Sequence, residues 1–239
     1  MQVISNAAHI SSRKKIGERA PFVGLVILAV STVLVFMKPE WLWATMALVW
    51  VGFMVSLAGS YLGDRYVGPN AGHKRVPETL KGLDSGYTLL MYRMAAPFVL
   101  IEPGGLTVLS LKSQGGTITF ANGKWQQRQK MSLLRRFAGQ ESLGRPQRIA
   151  ETDRQVVVDQ LRKLLPEEGQ VPVRVVLVFT NPDVVLQVDE DTVPVPSVRA
   201  AELKRWLRRT PMRPQMPEST LRAIREALKL EAEEPALTA

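Results

Sequence analysis

The 239-residue sequence predicts an α/β protein in two parts, an N-terminal two-helix transmembrane hairpin and then a mixed β-sheet domain with flanking helices. Three observations predict it. Two long uncharged runs lie in the first 63 residues, only three residues apart. Beyond them, short apolar runs alternate with turns rich in Gly, Pro and Asn. Between and after those runs the apolar period lengthens to that of a helix.

Residues 1–20 form a basic segment, with Arg13, Lys14, Lys15 and Arg19 against Glu18. Pro21–Met37 carries no charge over 17 residues and Trp41–Gly63 none over 23. As helices these runs would be roughly 26 and 34 Å long, against a hydrocarbon core of about 30 Å. Lys38-Pro39-Glu40 makes the turn, where proline interrupts neither helix. Reading the first run as the core of a signal peptide would require a small-x-small cleavage site just past it, and Lys38-Pro39-Glu40 supplies none before the second run follows at once. Buried helices of a soluble protein would show a polar face, which both runs lack. Trp41 and Trp43 suit one membrane interface, and Tyr61 and Tyr66 the other. Basic residues precede the first run and follow the second (Arg65, Lys74, Arg75), whereas the turn has only Lys38; both termini are therefore expected in the cytoplasm. Gly52, Ser56, Gly59 and Gly63 favour close helix packing, within the hairpin or between two copies. No ionisable residue lies inside either run, which argues against an ion or proton pathway.

Residues 64–72 read as a linker and 73–231 as the cytoplasmic domain, followed by a tail over 232–239. A helix is expected over Val76–Leu83, with Pro77 in its first turn. Strands follow at Tyr87–Tyr92, Phe98–Glu102, Leu106–Lys112 and Thr117–Ala121, separated by Pro103-Gly104-Gly105 and Gly115-Gly116. Asn122-Gly123 is a tight-turn pair. Arg154–Leu165 has a helical period, Val171–Thr180 is the most apolar strand and is expected near the centre of the sheet, and Val184–Val188 is a further strand. Val198–Arg209 and Glu218–Glu231 complete the series as helices, the former with Leu203, Trp206 and Leu207 on one face.

Composition removes several chemistries. The absence of cysteine excludes disulfides, thiolate metal sites and cysteine nucleophiles. His9 and His73 are too far apart for a local two-histidine zinc motif. The net charge of +9 points to an anionic partner. Two stretches concentrate it: Lys124, Arg128, Lys130, Arg135, Arg136, Arg145 and Arg148 against Glu141, and Arg199, Lys204, Arg205, Arg208, Arg209 and Arg213 against Glu202.

Phe98–Trp125 and Val171–Asp191, with Val193–Arg209 behind them, resemble the nuclease-related domain (NERD) family, within the restriction-endonuclease-like PD-(D/E)XK fold class. The resemblance covers about Ala71–Leu228. It implies a metal-dependent phosphodiesterase site: an acid on the first helix, an Asp-His pair ahead of a strand, then Glu-x-Lys on the next. Carboxylates would grip magnesium beside the scissile phosphate, and the lysine would orient water or stabilise charge. Here the matched positions read His73, Pro97 and Ser110, with Lys112 alone retained. Proline cannot ligate a metal and serine is a poor neutral ligand for magnesium, so the expected protein is a degenerate member with no bound metal or cofactor.

The expected function is binding or scaffolding at the cytoplasmic membrane face, without catalysis. Nucleic acid is the leading ligand by resemblance; anionic lipid head groups and simple surface solvation compete for the same basic residues, and a protein partner stays open. The patches contain no ladder of stacking aromatics. The enzyme alternative is a magnesium-dependent nuclease with relocated carboxylates, pairing Lys112 with Glu102 or Glu78, with Asp84 also near in sequence. In a third reading the hairpin is the functional element of a membrane-assembly protein, and the soluble domain regulates it.

Overall fold

The computed structural model describes residues 1–128, 143–165 and 171–230, and the chain divides into two compact units. Ala7–Ala71 make one; the described residues on either side, Met1–Asn6 and Gly72 onward, make the other.

The helical unit consists of α1 (Ala7–Met37), a single 3-10 turn (Pro39–Trp41) and α2 (Leu42–Tyr66). Both helices are long and apolar enough to cross a membrane. Their buried residues are small and recur every seven: Gly17, Gly24 and Ser31 on α1, and Thr45, Gly52 and Gly59 on α2 with Tyr66 at its end. This period keeps one narrow stripe facing the partner helix along the whole pair. The backbones almost touch. A methyl group added at Gly24 would lie 2.2 Å from Ser56 Oγ, and one at Gly59 would lie 2.5 Å from Pro21 N. Large apolar side chains point the other way, with Phe36 82% and Trp43 85% exposed. A water-soluble helix buries such side chains. At the base of the pair Tyr66 Oη and His9 Nε2 are 3.4 Å apart.

The N-terminal segment differs from the sequence expectation. Residues 1–20 are not a separate basic arm: Gln2–Ser5 form strand β1, and α1 begins at Ala7, continuing through Pro21. His9–Arg19 is rich in good helix formers, and proline removes only one intrahelical bond where Gly59 leaves space for its ring.

The second unit starts with β1, and the rest of it begins at helix α3 (Gly72–Leu80), which starts earlier than expected and includes Pro77. Strands β2 (Thr88–Met91), β3 (Phe98–Glu102) and β4 (Gly105–Lys112) follow as an antiparallel meander. Strands β5 (Gly116–Ala121) and β6 (Lys124–Arg128) form a hairpin across Asn122-Gly123, whose positive φ angles of 52° and 70° suit a tight turn. Helix α4 (Pro146–Leu164), strand β7 (Val173–Phe179), strand β8 (Val184–Gln187), strand β9 (Ser197–Arg199), helix α5 (Ala200–Arg209) and helix α6 (Glu218–Ala227) complete the described chain. The main sheet has the order β1-β2-β3-β4-β7-β9, with β1 parallel to β2, and with β4, β7 and β9 mutually parallel. A second sheet has the order β6-β5-β8.

The main sheet is covered on both faces, which explains the apolar runs Phe98–Ile101 in β3 and Val175–Phe179 in β7. On one face Val99, Ile101, Leu106, Val108, Leu177 and Phe179 pack with Ala150, Val157 and Leu161 of α4. On the other, Leu89, Leu100, Leu109, Val176 and Val178 pack with Val76 and Leu80 of α3 and Leu203 and Leu207 of α5. The β3–β4 turn requires glycine for space: a Cβ on Gly104 would lie 2.1 Å from the Met212 carbonyl oxygen.

Ile4 of β1 is 4% exposed in the first of these cores. Ile4→Ala is expected to lower the domain's unfolding free energy by about 2–4 kcal/mol, read from urea denaturation. Gly59→Leu should separate α1 from α2 and lower the helical melting temperature in detergent, with Ser60→Leu, also on α2, as the control.

Candidate functional site

The residues matched to the nuclease pattern collect around one end of the β3–β4 pair. Register places Val99 opposite Val108, and continued by two residues it sets Pro97 beside Ser110. The start of α3 lies against the same end: a Cβ on Gly72 would approach Leu111 Cδ1 to 2.3 Å and Phe98 Cζ to 2.9 Å. His73, half-buried, follows at once. Because side chains alternate along a strand, Ser110 and Lys112 share the face of Leu106 and Val108, under α4, whereas α3 packs on the opposite face.

Lys112 is 7% exposed at the end of β4, where its carbonyl accepts from the Thr180 backbone N–H at 2.8 Å. Ser110, 4% exposed, donates to Asp153 Oδ2 at 3.1 Å. Asp153 stands within the apolar stripe of α4, between Ala150 and Val157, and so faces the sheet. Sequence reasoning missed this acid. Its signal was present, since a carboxylate spaced three and four from buried aliphatic residues breaks the apolar period.

The weaker candidates are placed elsewhere. Glu78 is exposed on α3, across the sheet from Lys112. Glu102, expected as a surface acid and as one possible partner of Lys112, is 1% exposed. It pairs across β3–β4 with Gly105, seven residues along β4 from Lys112, or about 23 Å at strand rise. Both its oxygens accept from Arg174 Nη2 at 3.0 Å, and Thr107 Oγ1 also donates to it. Arg174 Nε donates to Thr107 Oγ1 at 2.7 Å, and the guanidinium lies 4.6 Å from the Trp206 ring centroid. Glu102 is therefore the core of a buried ion pair and not a carboxylate of the Lys112 site. Among the described residues no group of three or more His, Asp or Glu could hold a metal ion.

The basic stretches also separate by environment. Lys124 and Arg128 lie exposed on alternate positions of β6, and Arg145 and Arg148 lie exposed at the start of α4. Among the described residues none of the four has an acidic partner. Half of the second stretch is engaged. Arg199 binds Glu202 at 2.5 Å, and this hydrogen bond holds the Glu202 carboxyl below its ordinary range. Lys204 donates to the Lys81 carbonyl at 2.8 Å and Arg208 to the Gly82 carbonyl at 3.3 Å, satisfying oxygens just beyond the end of α3. Arg205 and Arg209 remain exposed. Lys130, Arg135 and Arg136 lie outside the described residues, as does the tail over 232–239.

Compared with protein-family models, with curated proteins and with solved structures, the chain matches none of them.

Removing one member of the Glu102–Arg174 pair leaves a buried charge. Arg174→Ala is expected to cost about 3–5 kcal/mol, while the combined Glu102→Leu, Arg174→Met variant regains most of the loss, as urea denaturation would report. Near this pair the Tyr87 phenol is raised above its ordinary value, chiefly by burial and then by the charge of Glu102. A raised folded pKa means that its stabilising contribution is complete below the unfolded value of about 10 and is lost as pH rises through the folded value. Tyr87→Phe should therefore flatten the alkaline limb of a stability–pH curve and leave neutral pH little changed.

Proposed function

We infer that this is a membrane-anchored binding protein: a nuclease-like domain without a metal site that holds nucleic acid electrostatically at the cytoplasmic face. The observation that carries the reading is the contrast between two surfaces. Positions that would need acids for catalysis carry His73, Pro97 and Ser110, whereas Lys124, Arg128, Arg145 and Arg148 stand exposed with no acidic partner among the described residues. A phosphate backbone is the ligand for which such unneutralised cations are suited. The resemblance to NERD proteins and the restriction-endonuclease-like fold draws support from the order helix, meander, helix, parallel strand, and from the adjacency of Pro97 and Ser110.

Chain connectivity supports the membrane topology. Strand β1 precedes the hairpin and pairs with β2 beyond it, so the segments before and after the hairpin belong to one sheet. A chain that leaves one side of a bilayer and rejoins the same sheet crosses an even number of times. Two spans satisfy this, and the basic flanks favour the cytoplasm.

A second reading, the nuclease with a relocated carboxylate, is favoured by one observation, the reach of Asp153 to Ser110 on the face that carries Lys112. One acid falls short of the two or more that a magnesium site at a phosphodiester draws on.

The full chain in neutral detergent should bind labelled single-stranded DNA without cleaving it in magnesium. Replacing Lys124, Arg128, Arg145 and Arg148 by Gln should weaken binding and flatten the log affinity against log salt slope by about 3. Magnesium-dependent cleavage abolished by both Asp153→Asn and Lys112→Ala would replace this reading with the second one.

A further inference from the structure

A cleft of about 690 Å³ opens where the β5–β6 turn meets the first turn of α4 and the 192–194 loop. This is within the range of small-ligand sites. Its lining mixes one aromatic ring with two side-chain amides: Phe120 precedes the turn, Asn122 lies in it, and Gln147 belongs to α4, with Thr192 and Pro194 opposite. Gln147 has a buried side-chain oxygen with no hydrogen-bond partner among the described residues. Buried polar atoms are nearly always paired, and an amide can present either its carbonyl or its NH2 group to a ligand.

Charge surrounds this lining asymmetrically. Lys124 follows the turn, and Arg145 and Arg148 flank Gln147 in the chain. Across the lining, Asp189, Glu190 and Asp191 immediately precede Thr192 in the chain. A ligand that suits both sides has a phosphate at one end and a planar group with hydrogen-bonding edges at the other. A lipid head group supplies the phosphate but no planar ring for Phe120 and no edge for two amides.

We propose that this cleft is a nucleotide subsite: it takes one base of a single strand against Phe120, reads its edge with Asn122 and Gln147, and sets the adjoining phosphate toward Lys124, Arg145 and Arg148. The acids at 189–191 repel a phosphate and so fix the orientation. The inference rests on the nucleic-acid reading above and adds to it a place where the base itself is recognised.

The test uses the full chain in nanodiscs of phosphatidylcholine, with a labelled single-stranded oligonucleotide of about ten residues and inorganic polyphosphate of equal charge as competitor. The wild type should favour the oligonucleotide by about tenfold or more, the range for stacking one base. Phe120→Ala and Gln147→Leu should each reduce that preference and leave polyphosphate affinity unchanged, while Phe120→Tyr, which keeps the ring, should retain it. Melting temperatures check folding, and Gln147→Leu serves as the independent variant if Phe120→Ala unfolds. Equal binding of both polyanions by the wild type and both variants, lowered alike by Arg148→Gln, would overturn the subsite and leave the electrostatic reading intact. If neither polyanion binds, while vesicles containing phosphatidylserine do, both readings fall.

Discussion

The parallel pairing of β1 with β2 is the constraint on which the rest depends, because it closes one sheet across the entire helical hairpin. Bringing distant segments together costs loop entropy that grows with the logarithm of the intervening length. The hairpin largely removes that cost. Its seven-residue stripes of Gly, Ser and Thr draw α1 and α2 into backbone contact and hold its ends at hydrogen-bonding distance, His9 to Tyr66. Only Asn6 separates β1 from α1, and five residues separate α2 from α3. Once the helices have paired, the strand has a short loop to close and not one of some eighty residues. Small residues that pack the two helices therefore also shorten the loop that the sheet must close.

The same sheet explains why its polar residues cannot be judged from sequence neighbours. Lys112 and Glu102 are ten positions apart and flank one turn, yet the β3–β4 ladder carries them to opposite ends. Asp153 is forty-three positions from Ser110, and a parallel crossover returns it to the same face. Burial then assigns different roles. Glu102 is neutralised by Arg174 beneath Trp206 and acts as a structural pair, whereas Lys112 lies at the far end of β4 and Asp153 reaches Ser110 on the same face.

Much of the fold was legible in the sequence, and the misses share physical causes. β3 and β4 were readable because strands buried on both faces are rich in apolar residues, here bounded by the Pro103-Gly104-Gly105 and Gly115-Gly116 turns. β1 was not, since four residues directly ahead of a helix provide too little alternation. β6 has one apolar residue, Trp125, and exposes Lys124, Gln126 and Arg128, so its sequence reads only as charge. The Asn122-Gly123 pair implied a returning strand there, because such a turn exists to join two. The positions of the nuclease-like pattern were legible as a series. Their convergence was not, since it depends on register and on the close approach that Gly72 allows.

Net charge illustrates the same limit from the other side. Two stretches of similar basicity look equivalent in the sequence, and counting cannot separate them. In the fold, α5 lies against the end of α3, where carbonyl oxygens beyond the helix lack intrahelical donors, so Lys204 and Arg208 bind backbone and Arg199 binds its own helix through Glu202. Those cations are already solvating protein. β6 and the first turn of α4 meet no such demand among the described residues: one is a strand exposed on one face, the other a helix start whose own dipole is positive. Lys124, Arg128, Arg145 and Arg148 thereby stand exposed with no acidic partner among the described residues. What marks a candidate binding surface in this molecule is the charge that the fold does not consume: among the described residues Lys124 and Arg128 at the edge of the small sheet and Arg145 and Arg148 at the start of α4, with Arg205 and Arg209 exposed on α5.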